Sequence, residues 1–194
     1  LSGLTTPEVL LRAYMDGYFP MAESRIGEIY WHFPNPRAIF DIYNTKISRS
    51  TRNLMKKNEF KFKINESFRD VITHCSFRED TWISDEIIDL YTELHNRGYA
   101  HSVEVYNKEG VLVGGLYGVA IGGAFFGESM FNLVPNAAKL AFAFLLERLK
   151  QNKFLLLDSQ YLNNFTEQLG AFNITADEYL RLLRIAINIS TEFK

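Results

Sequence analysis

Apolar positions along the chain change their period from one stretch to the next, and the changes mark out elements. Thr5-Thr6-Pro7-Glu8 reads as a capping box with proline in the first turn. Leu10, Leu11 and Tyr14 then share one helical face until Gly17 stops the helix. Residues 18–45 follow no period; they are aromatic, interrupted by Pro20, Pro34 and Pro36, and read as irregular. From Asn65 a second helix is predicted, with Phe68, Val71, Ile72 and Cys75 at i, i+3, i+4 and i+7. Ser84 caps a third, turning Ile87, Tyr91 and Leu94 inward, and Gly98 closes it. The period then falls to two. Residues 101–106 alternate as a strand, Lys108-Glu109-Gly110 turns the chain, and 111–120 and 124–131 read as further strands. Asn136 caps a long helix to about Gln151, carrying Leu140, Phe144, Leu145 and Leu149. Residues 154–160 form a short, strongly apolar strand, expected to be central and parallel to an earlier one. Thr175 and Glu178 make a last capping box, with Ile174 and Tyr179 at hydrophobic-staple positions, and a helix to about residue 189.

This order predicts a mixed α/β (α+β) fold with helices on both faces of a sheet. A small N-terminal part over 1–60 precedes a body over 61–194. With 194 residues, 47% of them hydrophobic, the chain can bury a core without disulfides or metal. The longest uncharged run, 110–127, is rich in glycine and reads as two buried strands and a turn rather than a membrane span. The chain begins at Leu1, so its natural N-terminus is expected to be missing, and no leader is recognisable. Cys75 is the single cysteine, so no internal disulfide is possible. It sits on an apolar helix face as an inert thiol, which fits a reducing compartment.

Net charge is −2, which at first argues against nucleic acid. Its distribution argues otherwise. Residues 46–63 hold seven basic side chains and only Glu59 as an acid, so +6 lies in one stretch and −8 in the rest. Local density of this kind binds a phosphate backbone through counterion release, or else forms a solvated helix face.

Three places could carry chemistry. Glu128 interrupts a very apolar strand in Phe126-Gly127-Glu128-Ser129-Met130-Phe131; it either faces water from an edge or meets a cation or donors inside. Asp158 and Gln160, two apart at the end of the 154–160 strand, project from one face, where α/β sheets bind ligands. Trp31 and Trp82 lie in loop contexts and could stack on a base or simply pack. His32, His74, His95 and His101 show no metal-ligand spacing, and neither a GxSxG elbow nor a GxxxxGK[ST] loop is present.

Together these residues resemble the leucyl/phenylalanyl-tRNA–protein transferase family from about residue 4 to the end. The resemblance rests on Leu11-Arg12-Ala13-Tyr14, Gly17-Tyr18-Phe19-Pro20-Met21 and Trp31 with Pro34-Asn35-Pro36-Arg37. It continues through Ser48-Arg49-Ser50, Thr81-Trp82-Ile83, His95, 98–105, 112–120, 127–131, Asp158-Ser159-Gln160 and Leu169-Gly170-Ala171. The resemblance implies a GNAT-like acyltransferase domain using neither metal nor acetyl-CoA. The implied reaction moves Leu, Phe or Met from aminoacyl-tRNA to proteins beginning with Arg or Lys, marking them for N-end-rule degradation in the cytoplasm. No membrane or DNA partner is implied.

By the same resemblance, Asp158 and Gln160 orient and help deprotonate the attacking amine, with Gln160 polarised by Asp158. Glu128 anchors the aminoacyl end or the basic acceptor. Leu116, Phe125, Gly127, Met130, Leu145 and Leu157 belong to the side-chain pocket, and Trp31 and Trp82 flank the terminal adenosine. Lys46, Arg49, Arg52, Lys56 and Lys57 hold tRNA phosphates. The chain departs from the family at Phe165, often histidine, near Ala176, often arginine, and at Trp31-His32-Phe33-Pro34 in place of Trp-Trp-Ser-Pro. An acetyl-CoA-dependent GNAT N-acetyltransferase, a related transferase with Asp/Glu acceptors and a non-catalytic RNA-binding module are the alternatives. The first needs a [QR]xxGx[GA] loop, which the sequence lacks.

Overall fold

The computed structural model describes residues 6–22, 28–77 and 81–194. In chain order the elements are α1 (Pro7–Met15), β1 (Phe19–Ala22), β2 (Ile29–His32), β3 (Arg37–Phe40), α2 (Arg49–Lys56), β4 (Lys61–Ile64), α3 (Phe68–Cys75) and α4 (Asp85–Asn96). They continue with β5 (Ala100–Tyr106), β6 (Leu112–Ile121), β7 (Ala124–Asn132), α5 (Ala137–Gln151), β8 (Leu156–Gln160), α6 (Asn164–Gln168), β9 (Phe172–Ile174) and α7 (Ala176–Ala186).

Seven strands form one mixed sheet in the order β4-β5-β6-β7-β8-β3-β9, and β1 and β2 make a separate ribbon. As expected, β8 is central and parallel to β7; β3 flanks it antiparallel. Pleat alternation divides the core in two. Tyr117, Phe126, Leu156 and Ile39 face α1, α3, α4 and α7, whereas Leu116, Phe125, Leu157 and Phe40 face α5. Both faces are covered, which is why β5 is buried along nearly its whole length instead of alternating with solvent. Cys75 is buried, as its helical position requires. No helix among the described residues is long and apolar enough to cross a membrane.

Several local expectations need correction. Residues 18–45 are not irregular: they contain β1, β2 and β3. Each strand spans only four residues between prolines and aromatics, too short for a period to show. Strand β3, from the expected N-terminal part, lies between β8 and β9 in the sheet. In α1 the cap is the hydroxyl of Thr6, which accepts from Val9 N–H at 3.3 Å; Thr5 lies outside the described residues. Asn136 precedes α5 but makes no side-chain cap, and its φ of 70° is left-handed. What seats this end of α5 is Gly114, where a Cβ would come within 2.4 Å of the Ala137 Cβ. The last helix ends at Ala186, whose carbonyl accepts from Gly123 N–H in the β6–β7 turn at 2.8 Å.

Gly17, which stops α1, has φ +88°, and a Cβ there would lie 2.9 Å from the Phe33 ring. Gly17→Ala is therefore expected to destabilise the protein by about 1–3 kcal/mol. Urea denaturation checks this; an unchanged midpoint would show that the turn tolerates a side chain.

Candidate active site

The β7–β8 ladder ends at Phe126↔Asp158, although both strands run on. Beyond that pair they part, and a cleft of about 770 Å³ opens at the carboxyl end of β8. Gly127, Glu128, Asp158, Ser159 and Gln160 line it where the strands separate.

Asp158 is fully buried and its two oxygens are filled. Arg37 Nε donates to Oδ1 at 2.9 Å and Arg37 Nη2 to Oδ2 at 2.6 Å, the fork geometry that holds a carboxylate most firmly. Tyr179 OH donates to Oδ2 at 2.7 Å, and the Gln160 backbone N–H to Oδ1 at 2.8 Å. Arg37 is itself only 1% exposed. Its guanidinium lies 4.8 Å from the Phe19 ring and 4.4 Å from the Tyr179 ring, and its Nη1 donates to the Gly17 carbonyl at 3.0 Å. Burial alone would lower the Arg37 pKa, but the Asp158 charge and hydrogen bonds carry it above its ordinary value.

The Gln160 backbone is left-handed, φ 62°, at the position where its N–H turns back onto Asp158. Its side chain goes to Glu128 instead, with Nε2 donating to Oε1 at 2.9 Å. Tyr14 OH donates to the same oxygen at 2.6 Å, and Tyr91 OH to Oε2 at 3.2 Å. The two tyrosine hydroxyls also meet each other at 2.5 Å. Glu128 thus meets donors inside rather than facing water from an edge. Burial pushes its carboxyl up to about 7, against the opposing pull of the tyrosine hydrogen bonds. Both tyrosines are raised well above the ordinary phenol value, first by burial and then by the Glu128 charge.

The other expected residues divide. Leu116, Gly127, Met130, Leu145 and Leu157 line the cleft, with Phe40 and Phe142. Phe125 does not; it is fully buried behind the wall, packed on Phe193 at 5.2 Å between ring centroids. It shares the α5 side of the sheet with Leu116 and Leu157, but its ring is taken up by the packing with Phe193. Trp82 lines the cleft, and so does the divergent Phe165. Trp31 is in a strand, not a loop: it pairs with Pro20 across the ribbon and packs, half-buried, against the core, outside the cleft lining. Arg49, Arg52 and Lys56 share one exposed face of α2 at i, i+3 and i+7, and Lys46 and Lys57 flank that helix, both exposed. Among the described residues none of these five is in a salt bridge. Sequence reasoning did not single out Arg37, Tyr14, Tyr91 or Tyr179 as site residues. Each acts through a partner at least 21 positions away, and only their places in or beside the recognised motifs hinted at them. His74, whose spacing fits no metal site, has another place. It lines the cleft, its ring 4.7 Å from that of Phe131 and nearly parallel to it.

A mixed sheet opening at the carboxyl end of its central strand, with a carboxylate and an amide beside an apolar pocket, has the architecture of an α/β enzyme. Comparison with known sequences narrows that class. The profile of the leucyl/phenylalanyl-tRNA protein transferase family matches residues 39–184, and the profile of that family's N-terminal domain matches residues 3–35. A leucyl/phenylalanyl-tRNA–protein transferase of Prosthecochloris aestuarii is 48% identical, covering 95% of this chain and 96% of that protein. One from Gloeobacter violaceus is 44% identical, covering 97% of each. The chain belongs to the leucyl/phenylalanyl-tRNA–protein transferase family. Among solved structures, L-PGS from Bacillus licheniformis is 14% identical with a TM-score of 0.48, over 81% of this chain and 51% of that one.

Removing Arg37 leaves Asp158 buried and unpaired. Arg37→Met is expected to lower stability by roughly 3–5 kcal/mol in urea denaturation, with Arg37→Lys recovering only part because the fork is lost. A loss under about 1 kcal/mol would contradict the pairing described. Glu128 sets a pH dependence of the opposite kind from a salt-bridged acid. Its folded pKa of about 7 lies above the ordinary 4.5, so the folded state binds the proton more tightly. Stability from this group is then full below the ordinary value and lost as pH rises through 7. Glu128→Gln is expected to flatten that decline in melting temperature between pH 5 and pH 8; an unchanged slope would place the titration elsewhere.

Proposed function

We propose that the protein transfers Leu, Phe or Met from aminoacyl-tRNA to the α-amino group of proteins whose first residue is Arg or Lys. The observation that carries this is the junction in one cleft of an apolar pocket with the Glu128–Gln160 pair. The pocket, with Leu116, Met130, Leu145 and Leu157, suits an unbranched or γ-branched apolar side chain. At its mouth lies Glu128, which has no cation within ion-pair distance among the described residues, whereas Asp158 is neutralised by Arg37. Glu128 is therefore the carboxylate available to an ammonium group.

The reaction makes modest demands. The donor ester is already activated, and an α-amine has a pKa of about 8, so a weak acceptor suffices to free its lone pair. Gln160 donates its amide N–H to Glu128, which polarises the amide and leaves the carbonyl oxygen to accept from the attacking amine. The amine nitrogen bonds to the ester carbonyl carbon, the bond to the ribose oxygen breaks, and the amine's proton ends on that oxygen. Asp158 takes a different part from the one the sequence suggested. Its oxygens are occupied by Arg37, Tyr179 and the Gln160 backbone N–H, so it positions Gln160. Trp82 supplies a stacking face for the terminal adenosine, and Trp31 holds the ribbon to the core. The basic face of α2 holds tRNA phosphates, and a cytoplasmic setting fits both substrates.

The test offers charged Leu-tRNA, Phe-tRNA and Arg-tRNA to peptides beginning with Arg, Lys, Asp or Glu. Transfer of Leu or Phe to Arg and Lys peptides is expected. Transfer only to Asp or Glu peptides would overturn the acceptor assignment, and no transfer at all would overturn the reaction. Gln160→Ala is expected to lower kcat by about 10²-fold. Lys56→Ala with Lys57→Ala should chiefly raise the KM for tRNA.

A further inference from the structure

A second, smaller cavity of about 90 Å³ lies on the other side of the cleft wall. Phe142, tilted against Phe40 at 4.6 Å between ring centroids, lines both and belongs to the wall between them. Helix α6 borders both too, with Thr166 toward the cleft and Gln168 toward the smaller cavity. Lys46 reaches this cavity from the segment before α2, and Lys139 from the first turn of α5, 93 positions on. Ser48, Thr51 and Gln168 add hydroxyl and amide groups. No acidic residue is in its lining, and neither lysine is in a salt bridge among the described residues. The volume holds several waters, enough for a phosphate group. Two cations with hydroxyl and amide donors and no opposing carboxylate select an anion.

We infer that this cavity seats a backbone phosphate from the unpaired 3′ end of the aminoacyl-tRNA, and that Lys139 is a phosphate contact. The inference rests on the transferase reading. A donor whose ester lies at Gln160 has its last nucleotide in the cleft, and the single strand leading to it must leave past the cleft wall. Lys139 belongs to a segment remote from the basic run 46–63, and α2 packs on α5 so that the two meet at this point. The cationic face is thereby carried from α2 to the edge of the reaction cleft. A duplex stem would lie along α2, whereas the small cavity beside Phe142 suits a single-stranded phosphate.

Three donors separate these possibilities: aminoacyl-adenosine, which has no phosphate; an aminoacylated CCA trinucleotide; and the intact aminoacyl-tRNA. Lys139→Ala is expected to raise KM roughly tenfold for the last two and reduce the salt slope by about 0.7, as for one lost single-strand phosphate contact. It should leave kcat unaltered and leave aminoacyl-adenosine unaffected, and Lys139→Arg should restore most of the affinity. The Lys56→Ala, Lys57→Ala protein should be impaired on intact tRNA alone. An equal KM increase on aminoacyl-adenosine would assign Lys139 a structural role. No increase on either phosphate-bearing donor, or an increase confined to intact tRNA, would also overturn the site. Failure of the unaltered protein with all three donors would remove the transferase reading, and this site with it.

Discussion

A single buried ion pair organises the reaction end of the molecule. Arg37 and Asp158 lie 121 residues apart in sequence, and both are withdrawn from water. Two charges in a protein interior persist only if each finds the other and the remaining hydrogen-bonding positions are met. Arg37 meets this condition with Gly17 after α1, and its guanidinium packs between the rings of Phe19 on the ribbon and Tyr179 on α7. The pair therefore brings the start, the middle and the end of the chain to the tip of β8. No one of these segments holds the geometry alone.

The consequences run outward. With its oxygens filled, Asp158 fixes the backbone of Gln160 in a left-handed turn. That turn sends the Gln160 side chain across the parted strands to Glu128, where Tyr14 and Tyr91 complete a second network. The two carboxylates thus divide their tasks by environment. One is paired, saturated and structural; the other has only neutral donors and titrates near neutrality. The same separation of charge recurs on a larger scale. A net charge of −2 conceals a basic face on α2 and an acidic remainder, as suits an enzyme whose substrate is an aminoacyl-tRNA.

Long elements were legible in the sequence because their periods repeat. The helices around Ile87–Leu94 and Leu140–Leu149, the β5–β7 run and the central parallel strand all form near their expected bounds. The helix α2 and the short strands β1–β4 and β9 escaped, because three to eight residues give a period no room to show and their partners are distant. At the site, Glu128, Asp158 and Gln160 stood out as polar groups in apolar strands, and the structure brings them together. Their tyrosine and arginine partners did not stand out, because an arginine after a proline or a tyrosine on an amphipathic helix looks ordinary until the fold shows what it faces. Phe125 and Trp31, whose roles family resemblance suggested, stand apart from the cleft lining: one is fully buried against Phe193, and the other is a half-buried member of the β1–β2 ribbon.

The central claim is that acyl transfer takes place where β7 and β8 part. The most direct measurement is a structure of the protein with a hydrolysis-resistant amide analogue of phenylalanyl-adenosine. The account requires the phenylalanyl ring among Leu116, Leu145 and Leu157, the adenine against Trp82, and the carbonyl carbon facing Gln160. An analogue bound elsewhere, or seated in the cleft with its carbonyl turned away from Gln160, would contradict it.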